Sequence, residues 1–294
     1  MVGSSSPQLF VMRILEFVIE NRDNGRRIKD FLHDFGFSSS LLVKLKRSRE
    51  GITVNGSFAR TIDTVTTGDV LRITIDSSGH MPSPTRMDID ILYEDEDILV
   101  LDKPPFMPVH ESRNHIGDTL SNFVAYHIDR DTAFRAVFRL DRDTSGIVLV
   151  AKHELAASKL AGKIDKDYYA LVSGVVDESG VVDAPIGRCG DSIIKRRVCA
   201  DGEHAVTRYY PLAQYGDYTL VRFKLLTGRT HQIRVHMSYI GHPLLGDSLY
   251  GGSRDIIDRQ ALHCGDIYFV HPVTGEDIHI TSPFPQDMKN IMKG

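Results

Sequence analysis

The chain has 294 residues, 41% hydrophobic and 25% charged, with a formal net charge of -4 at pH 7. That balance is globular, suits one large domain or two unequal ones, and excludes a uniformly basic nucleic-acid coat, so any nucleic-acid contact must rest on local patches. Three cysteines, Cys189, Cys199 and Cys264, are an odd number without a C-x-x-C pair, which argues against a disulfide framework or zinc site and for free thiols in a reducing cytoplasm.

Met1 to Val11 lacks the charged start and apolar core of a signal peptide. Met12 is a candidate natural start, with Gly-Ser-Ser-Ser at residues 3–6 as a leader. After Asp23-Asn24-Gly25, residues Ile28, Phe31, Leu32 and Phe35 keep i, i+3, i+4, i+7 spacing and predict a helix. A second helix starts near Ser38-Ser39-Ser40, buries Leu41, Leu42 and Leu45, and ends before Gly51. Lys44, Lys46, Arg47 and Arg49 lie on or beside it. Ile52-Thr53-Val54 runs into Asn55-Gly56, the dipeptide of a two-residue hairpin turn, and Leu71, Ile73 and Ile75 alternate as a closing strand. Residues 77–86, rich in Ser, Gly and Pro, read as an exposed linker on which this first module would swing. A second module starts near Met87. Its acidic residues around the strand Ile98 to Leu101 read as a solvated turn without function.

The most informative stretch is Arg139 to Lys152, RLDRDTSGIVLVAK. Ile147 to Ala151 are apolar without interruption, as in a strand buried on both faces, and Thr144-Ser145-Gly146 before them allow a tight turn and a close backbone approach. Asp141 is a lone carboxylate among Arg139 and Arg142. Opposite charge would keep it ionised, fit to be a nucleophile or charge stabiliser. By itself it fits equally a turn-capping Asp paired with a nearby arginine.

Lys166 to Gly174 (KDYYALVSG) is a further strand, with Tyr168 and Tyr169 on opposite faces. In Leu226 to His236 (LTGRTHQIRVH) a strand ends at Thr227-Gly228, and a helix follows that buries Ile233, Met237 and Ile240. Arg229 stands at that junction, where it can reach a carboxylate from another strand end. It is expected to pair with Asp141 through a two-pronged hydrogen bond. A metal site at His231, His236 and His242 is disfavoured, because the first two are five apart, off one helical face, with no Glu or Cys partner. No metal is expected.

These segments resemble, in order, the signatures of the RluA-type pseudouridine synthases: K-P-x-G-x-x-V-H at Lys103 to His110, H-R-L-D-x-x-T-S-G ending at Gly146, K-x-Y-x-A-x-V-x-G at Lys166 to Gly174, and T-G-R-x-H-Q-[IL]-R-x-H with G-x-P-x-x-G-D from Thr227 to Asp247. Phe138 stands where His is usual and Phe106 where Gly is usual. Residues 24–76 resemble the α-L (S4-like) RNA-binding domain first seen in a small-subunit ribosomal protein. The implied fold is α+β (mixed α/β): a large, mostly antiparallel central sheet flanked by helices, plus the small N-terminal domain. The implied division is an RNA-binding domain at 12–76, a linker at 77–86 and a catalytic domain at 87–294.

The resemblance implies conversion of specific uridines in structured RNA to pseudouridine. Asp141 would be the nucleophile, attacking either carbon 6 of uracil or the anomeric carbon of the sugar; Tyr168 would face the target base, and Arg229 would complete the catalytic group. The base must be extruded from folded RNA, and Arg139 is placed to hold the vacated space. Arg142, Thr144 and Ile233 are expected beside the substrate. Lys44, Lys46 and Arg47 are expected to grip phosphate, adding affinity more than specificity. Lys195-Arg196-Arg197 reads as a hairpin tip, either an RNA-backbone contact or a solvated turn. No cofactor is implied, since neither G-x-G-x-x-G nor G-x-x-x-x-G-K occurs. The expected partner is RNA, large-subunit rRNA first and tRNA second, bound by a cytoplasmic monomer without a membrane contact. Two alternatives stand beside this: a ribosome-assembly factor whose catalytic fold no longer turns over, and a metal-dependent RNA hydrolase.

Overall fold

A computed structural model of the chain describes residues 12–128, 132–188, 190, 192 and 194–293. The suggested leader and Cys189 lie outside the described residues. The first module contains β1 (Met12–Val18), α1 (Ile28–Phe35), α2 (Ser39–Leu45), β2 (Ile52–Val54), β3 (Ser57–Phe58) and β4 (Val70–Asp76), with a four-stranded sheet of order β1-β4-β2-β3. Some helix and turn signals act as their chemistry requires, but α1 starts at Ile28 after an Arg27 N-cap without a side-chain cap, and α2 stops at Leu45, short of Gly51. Gly36 ends α1 in the left-handed region, and the Ser38 hydroxyl caps α2 by accepting from the Leu41 N–H at 3.2 Å. Asn55 and Gly56, with φ of 52° and 80°, turn the hairpin. Strand β1 was not legible in the sequence: it is an edge strand in which Leu15 alone is fully buried, so its alternation is faint.

The second module contains β5 (Asp90–Glu94), β6 (Ile98–Lys103), α3 (Leu120–Ile128), β7 (Ser145–Ala151), α4 (Glu154–Leu160), β8 (Asp165–Ser173), β9 (Gly180–Asp183), β10 (Ile186–Arg188), β11 (Arg196–Val198), β12 (Val206–Tyr215), β13 (Tyr218–Leu225), α5 (Gln232–Tyr239), β14 (Leu262–Val270), β15 (Asp277–Thr281) and α6 (Gln286–Ile291). Nine of these strands form one sheet in the order β5-β6-β7-β14-β8-β13-β12-β9, with β15 added beside β14. Its pairings are antiparallel except that of β7 with β14. All seven residues of β7 are buried, as an uninterrupted apolar run in a central strand demands. Gly146 permits that pairing: its φ is +108°, and a β-carbon there would sit 2.2 Å from the Cys264 carbonyl oxygen. β10 and β11 pair as a separate two-stranded ribbon, in which Arg196 and Arg197 lie within β11 rather than at a tip as expected.

Two expectations about the junction are corrected. The segment 77–86 is laid onto the second module rather than exposed throughout: Ser77 is buried, its carbonyl accepts from the Ala133 N–H at 3.1 Å, and the Asn122 amide donates to the Ser83 carbonyl at 2.8 Å. The first module does not hang free on it either. Leu155 of α4 is part of the first module's apolar core, and the Lys159 ammonium lies 4.2 Å from the Phe35 ring centroid.

The acidic turn before β6 is also more than a solvated feature. Asp97 is buried and takes Arg13 of β1 at 2.6 Å and His153 at 2.8 Å. Asp95 caps the turn by accepting from the Asp97 and Ile98 N–H groups, each at 2.8 Å.

Candidate active site

The loop before β7 places Asp141 at the mouth of a small cavity of about 80 Å³, lined also by Arg139, Thr144, Tyr168, Arg229, His231, Ile233 and Arg234. Its apolar wall is Leu140, Leu225, Ile233 and Leu262. The loop is tied down twice. The Thr144 N–H donates to the Asp141 carbonyl at 3.1 Å, and the fully buried Lys103 ammonium donates to the carbonyls of Pro104, Met107 and Arg142 at 2.8, 2.9 and 3.0 Å. Burial, then the nearby Arg259 charge, pushes the Lys103 pKa down to about 7. The K-P segment therefore holds the backbone next to Asp141.

The expected pair between Asp141 and Arg229 is not formed. Arg229 Nε donates to the His204 carbonyl at 3.0 Å, and its Nη1 pairs with Glu203. Arg234 approaches Asp141 instead: Nη1 lies 3.2 Å from Asp141 Oδ2, while Nε and Nη2 clamp Asp247 at 2.6 and 2.9 Å. The reason is the geometry of the junction. The Gln232 side chain holds Thr227 Oγ1 and the Arg229 N–H, which directs Arg229 toward Glu203, whereas α5 carries Arg234 inward.

Burial disfavours the Arg234 charge, but Asp247 and Asp141 outweigh it and raise its pKa. Asp247 is reachable because Gly246, at φ +75°, lets the chain pass where a β-carbon would meet the Arg259 carbonyl at 1.9 Å. Both Arg234 and Asp247 were present in the fourth signature. A charged residue beside a core Ile on a short helix was the signal passed over.

Tyr168, on β8, is buried at the back of the cavity, with the phenol pKa raised well above its ordinary value by burial, then by Cys264 and Asp141. It stays protonated. Tyr169 faces the other side, donating to Asp266 at 2.7 Å and packing on Phe284. Thr144 is buried and Ile233 lies in the cavity wall; Arg139 and Arg142 are exposed, the latter held by Asp143 at 2.6 Å. Of the basic residues of α2 and beyond, Lys46 and Arg47 face solvent, but Lys44 pairs with Glu154 of α4. Lys44 thus joins α2 to α4 through a surface ion pair while its side chain stays 61% exposed.

The two departures from the family pattern leave the cavity alone. Phe106 adopts φ +64° without glycine, and Phe138 lies under the Lys166 ammonium, 4.8 Å from its ring centroid. Neither lines the cavity around Asp141. A larger cavity, about 940 Å³, opens between the modules, but its lining groups Arg13 and His153 are already bonded to Asp97 and Lys152 to Glu94. Asp95, Asp97 and His271 bring ligand atoms within 4.8 Å of one another, and these are bonded to Tyr93, Arg13, His153 and each other.

The sequence pattern of the RNA pseudouridylate synthase family matches residues 97–239. An uncharacterized RNA pseudouridine synthase of Bacillus subtilis, YjbO, is 43% identical over 91% of this chain and 98% of its own. A ribosomal large subunit pseudouridine synthase D of Pseudomonas aeruginosa is 40% identical over 80% of this chain and 81% of its own. Among solved structures, human RNA pseudouridylate synthase domain containing 1 superposes with a TM-score of 0.58 at 29% identity, covering 69% of this chain and 87% of that one.

Proposed function

The chain belongs to the RNA pseudouridine synthases, and from that premise we propose that Asp141 is the carboxylate that opens the glycosidic bond of a uridine in large-subunit ribosomal RNA. The observation that carries this reading is the asymmetry of the Asp141 carboxyl. Oδ2 is taken by Arg234, while Oδ1 has no hydrogen-bond partner among the described residues and the side chain is 31% exposed at the cavity. One oxygen is anchored and the other is offered to a substrate.

The reaction breaks the bond from uracil nitrogen 1 to the sugar, turns the base, and joins carbon 5 to the same sugar carbon; the proton leaving carbon 5 is matched by one gained at nitrogen 1. Such a base must be kept from water while it is free. Tyr168, Leu225, Ile233 and Leu262 supply the apolar enclosure. A cavity of about 80 Å³ is far below the roughly 300 Å³ of ordinary ligand sites, so entry of the base requires the rim to open. Exposed Arg139 stands on that rim and is suited to fill the gap left in the RNA. Arg229 and the exposed Lys46 and Arg47 are suited to phosphate. Support for the rRNA assignment is the name of the Pseudomonas relative. The α-L domain at 12–76, the catalytic domain at 87–294, a monomer and a cytoplasmic setting belong to the same proposal.

Replacing Asp141→Asn tests it. The variant should fold and bind RNA yet release no tritium from RNA labelled at uracil carbon 5. Full activity would remove Asp141 as the reacting group. Mapping pseudouridines in total RNA with and without the gene identifies the target uridine.

A further inference from the structure

We propose that His231 is a positioning residue for Asp141: in its neutral form, protonated on Nε2, it donates toward Oδ2, with Tyr250 selecting that tautomer. The inference rests on Asp141 being the reacting carboxylate and adds what holds it in place.

Four groups stand in line. The Arg196 backbone N–H of β11 donates to the Tyr250 hydroxyl oxygen at 3.0 Å. That hydroxyl lies 2.8 Å from His231 Nδ1, and His231 Nε2 lies 3.7 Å from Asp141 Oδ2. A backbone N–H can only donate, so the hydroxyl oxygen already accepts once, and its own proton needs an acceptor. Nδ1 supplies one, which leaves the imidazole proton on Nε2, aimed at the carboxylate. The other tautomer fails at both ends. The proton of a 7% exposed tyrosine would lose its acceptor, and a lone pair on Nε2 would face a carboxylate.

Every element packed around the ring contributes a charged or titratable group: Asp141 from the loop before β7, Arg234 from α5, Asp247 and the neutral Tyr250 from the segment after it, and Arg196 from β11. Burial lowers the imidazole pKa below its ordinary value by more than Asp141 raises it. The ring is therefore neutral at neutral pH.

The backbone is a second, independent sign. His231 sits at φ 58° and ψ 21°, the left-handed region, immediately before α5. A side chain with a β-carbon is held there at a cost, and such strain persists where the surroundings fix it. The result is that His231 and Arg234, from the same short helix and its cap, both address Oδ2. The Arg234 hydrogen bond at 3.2 Å and the longer approach of His231 Nε2 at 3.7 Å, both on Oδ2, orient the carboxyl and leave Oδ1 to the cavity.

On acidification below the lowered pKa, Nδ1 gains a proton and Tyr250 must change from donor to acceptor. A full positive charge then lies beside Oδ2 and draws the carboxylate away from substrate. Activity thus falls with pH through the His231 titration.

The test uses the full chain and three substitutions, His231→Phe, His231→Gln and Tyr250→Phe, with Asp141→Asn assayed in parallel. His231→Phe should lower kcat roughly 100-fold with RNA affinity and KM unchanged, the size expected of a misplaced reacting group. His231→Gln, which can still donate, should regain most of that rate and lose the acid limb of the pH profile. Nitrogen-15 spectra of the wild-type imidazole should show the proton on Nε2, and Tyr250→Phe should mix the tautomers; this readout needs no activity and no unstable variant. Wild-type kcat in His231→Phe, an unchanged acid limb in His231→Gln, or an Nδ1 proton in the wild type would each overturn the inference. Activity in Asp141→Asn would overturn the assignment of Asp141 instead.

Discussion

Arg234 spans two carboxylates, meeting Asp141 through Nη1 at 3.2 Å and clamping Asp247 through Nε and Nη2 at 2.6 and 2.9 Å. The side chains of Arg234 and Asp247 are 7% and 1% exposed, against 31% for Asp141. The buried carboxylate fixes the guanidinium plane, and the fixed plane presents its remaining edge to the exposed one. Planar, two-edged geometry is what an ammonium lacks.

Arg234→Lys is therefore expected to retain a positive charge yet lose the bridge. We expect kcat to fall by about 10²-fold through loss of orientation, with RNA affinity nearly unchanged. Arg234→Ala goes further, because it strands Asp247 in the interior, and a broken buried pair costs about 3–5 kcal/mol. Denaturant unfolding of the two variants beside kinetic assays separates the roles. If Arg234→Lys keeps wild-type kcat, the guanidinium plane does not orient Asp141.

How much of this was legible in the sequence depends on whether a signal was local. The β7 run, the Asn55-Gly56 turn and the Ser38 cap each act through their own few residues, and the folded chain uses them as read. The choice of partner for Asp141 is not local. Arg229 and Arg234 are both arginines near one helix start, and what separates them is the Gln232 anchor and the left-handed turn at His231, which exist only once the strands are paired. Phe106 teaches the converse: it stands where glycine is usual, yet φ there is +64°, so the surrounding segment imposes the conformation on a phenylalanine. Asp97 looked like a solvated charge because its partners, Arg13 and His153, are remote in sequence, and the Glu154 partner of Lys44 was hidden for the same reason.

Lys103 gives a prediction in pH. All three of its ammonium hydrogens meet carbonyl oxygens, one of them that of Arg142 beside the proposed nucleophile. Burial nevertheless lowers its pKa from 10.5 to about 7. Between those values the unfolded chain binds a proton that the folded chain does not, so Lys103 makes stability rise with pH across that window. Below it both states are protonated and the full penalty is present. Lys103→Met should flatten that rise, as read by urea unfolding from about pH 6 to about pH 10. An identical pH dependence in the variant would show that the lysine keeps its proton in the fold.

Asp97 is one of the contacts that join the two modules, and its charge is what Arg13 of β1 meets there. Burial disfavours its charge, but hydrogen bonds from His153 and Arg13 outweigh that and hold the carboxyl well below the usual carboxylate range. A depressed folded value means that the stabilisation is present above the unfolded pKa and is lost only as pH falls through the folded one. Docking of β1 against the β5–β6 turn should accordingly survive mild acid in the wild type. Asp97→Asn removes the charge at every pH, leaving Arg13 and His153 with a neutral amide oxygen in place of the carboxylate and turning charged hydrogen bonds into weaker ones, a loss of about 2 kcal/mol. We expect faster proteolysis within residues 77–86 and a first module that melts before the second. A single cooperative transition at the wild-type temperature in Asp97→Asn would mean that the apolar contact through Leu155 holds the modules together without the ion pair.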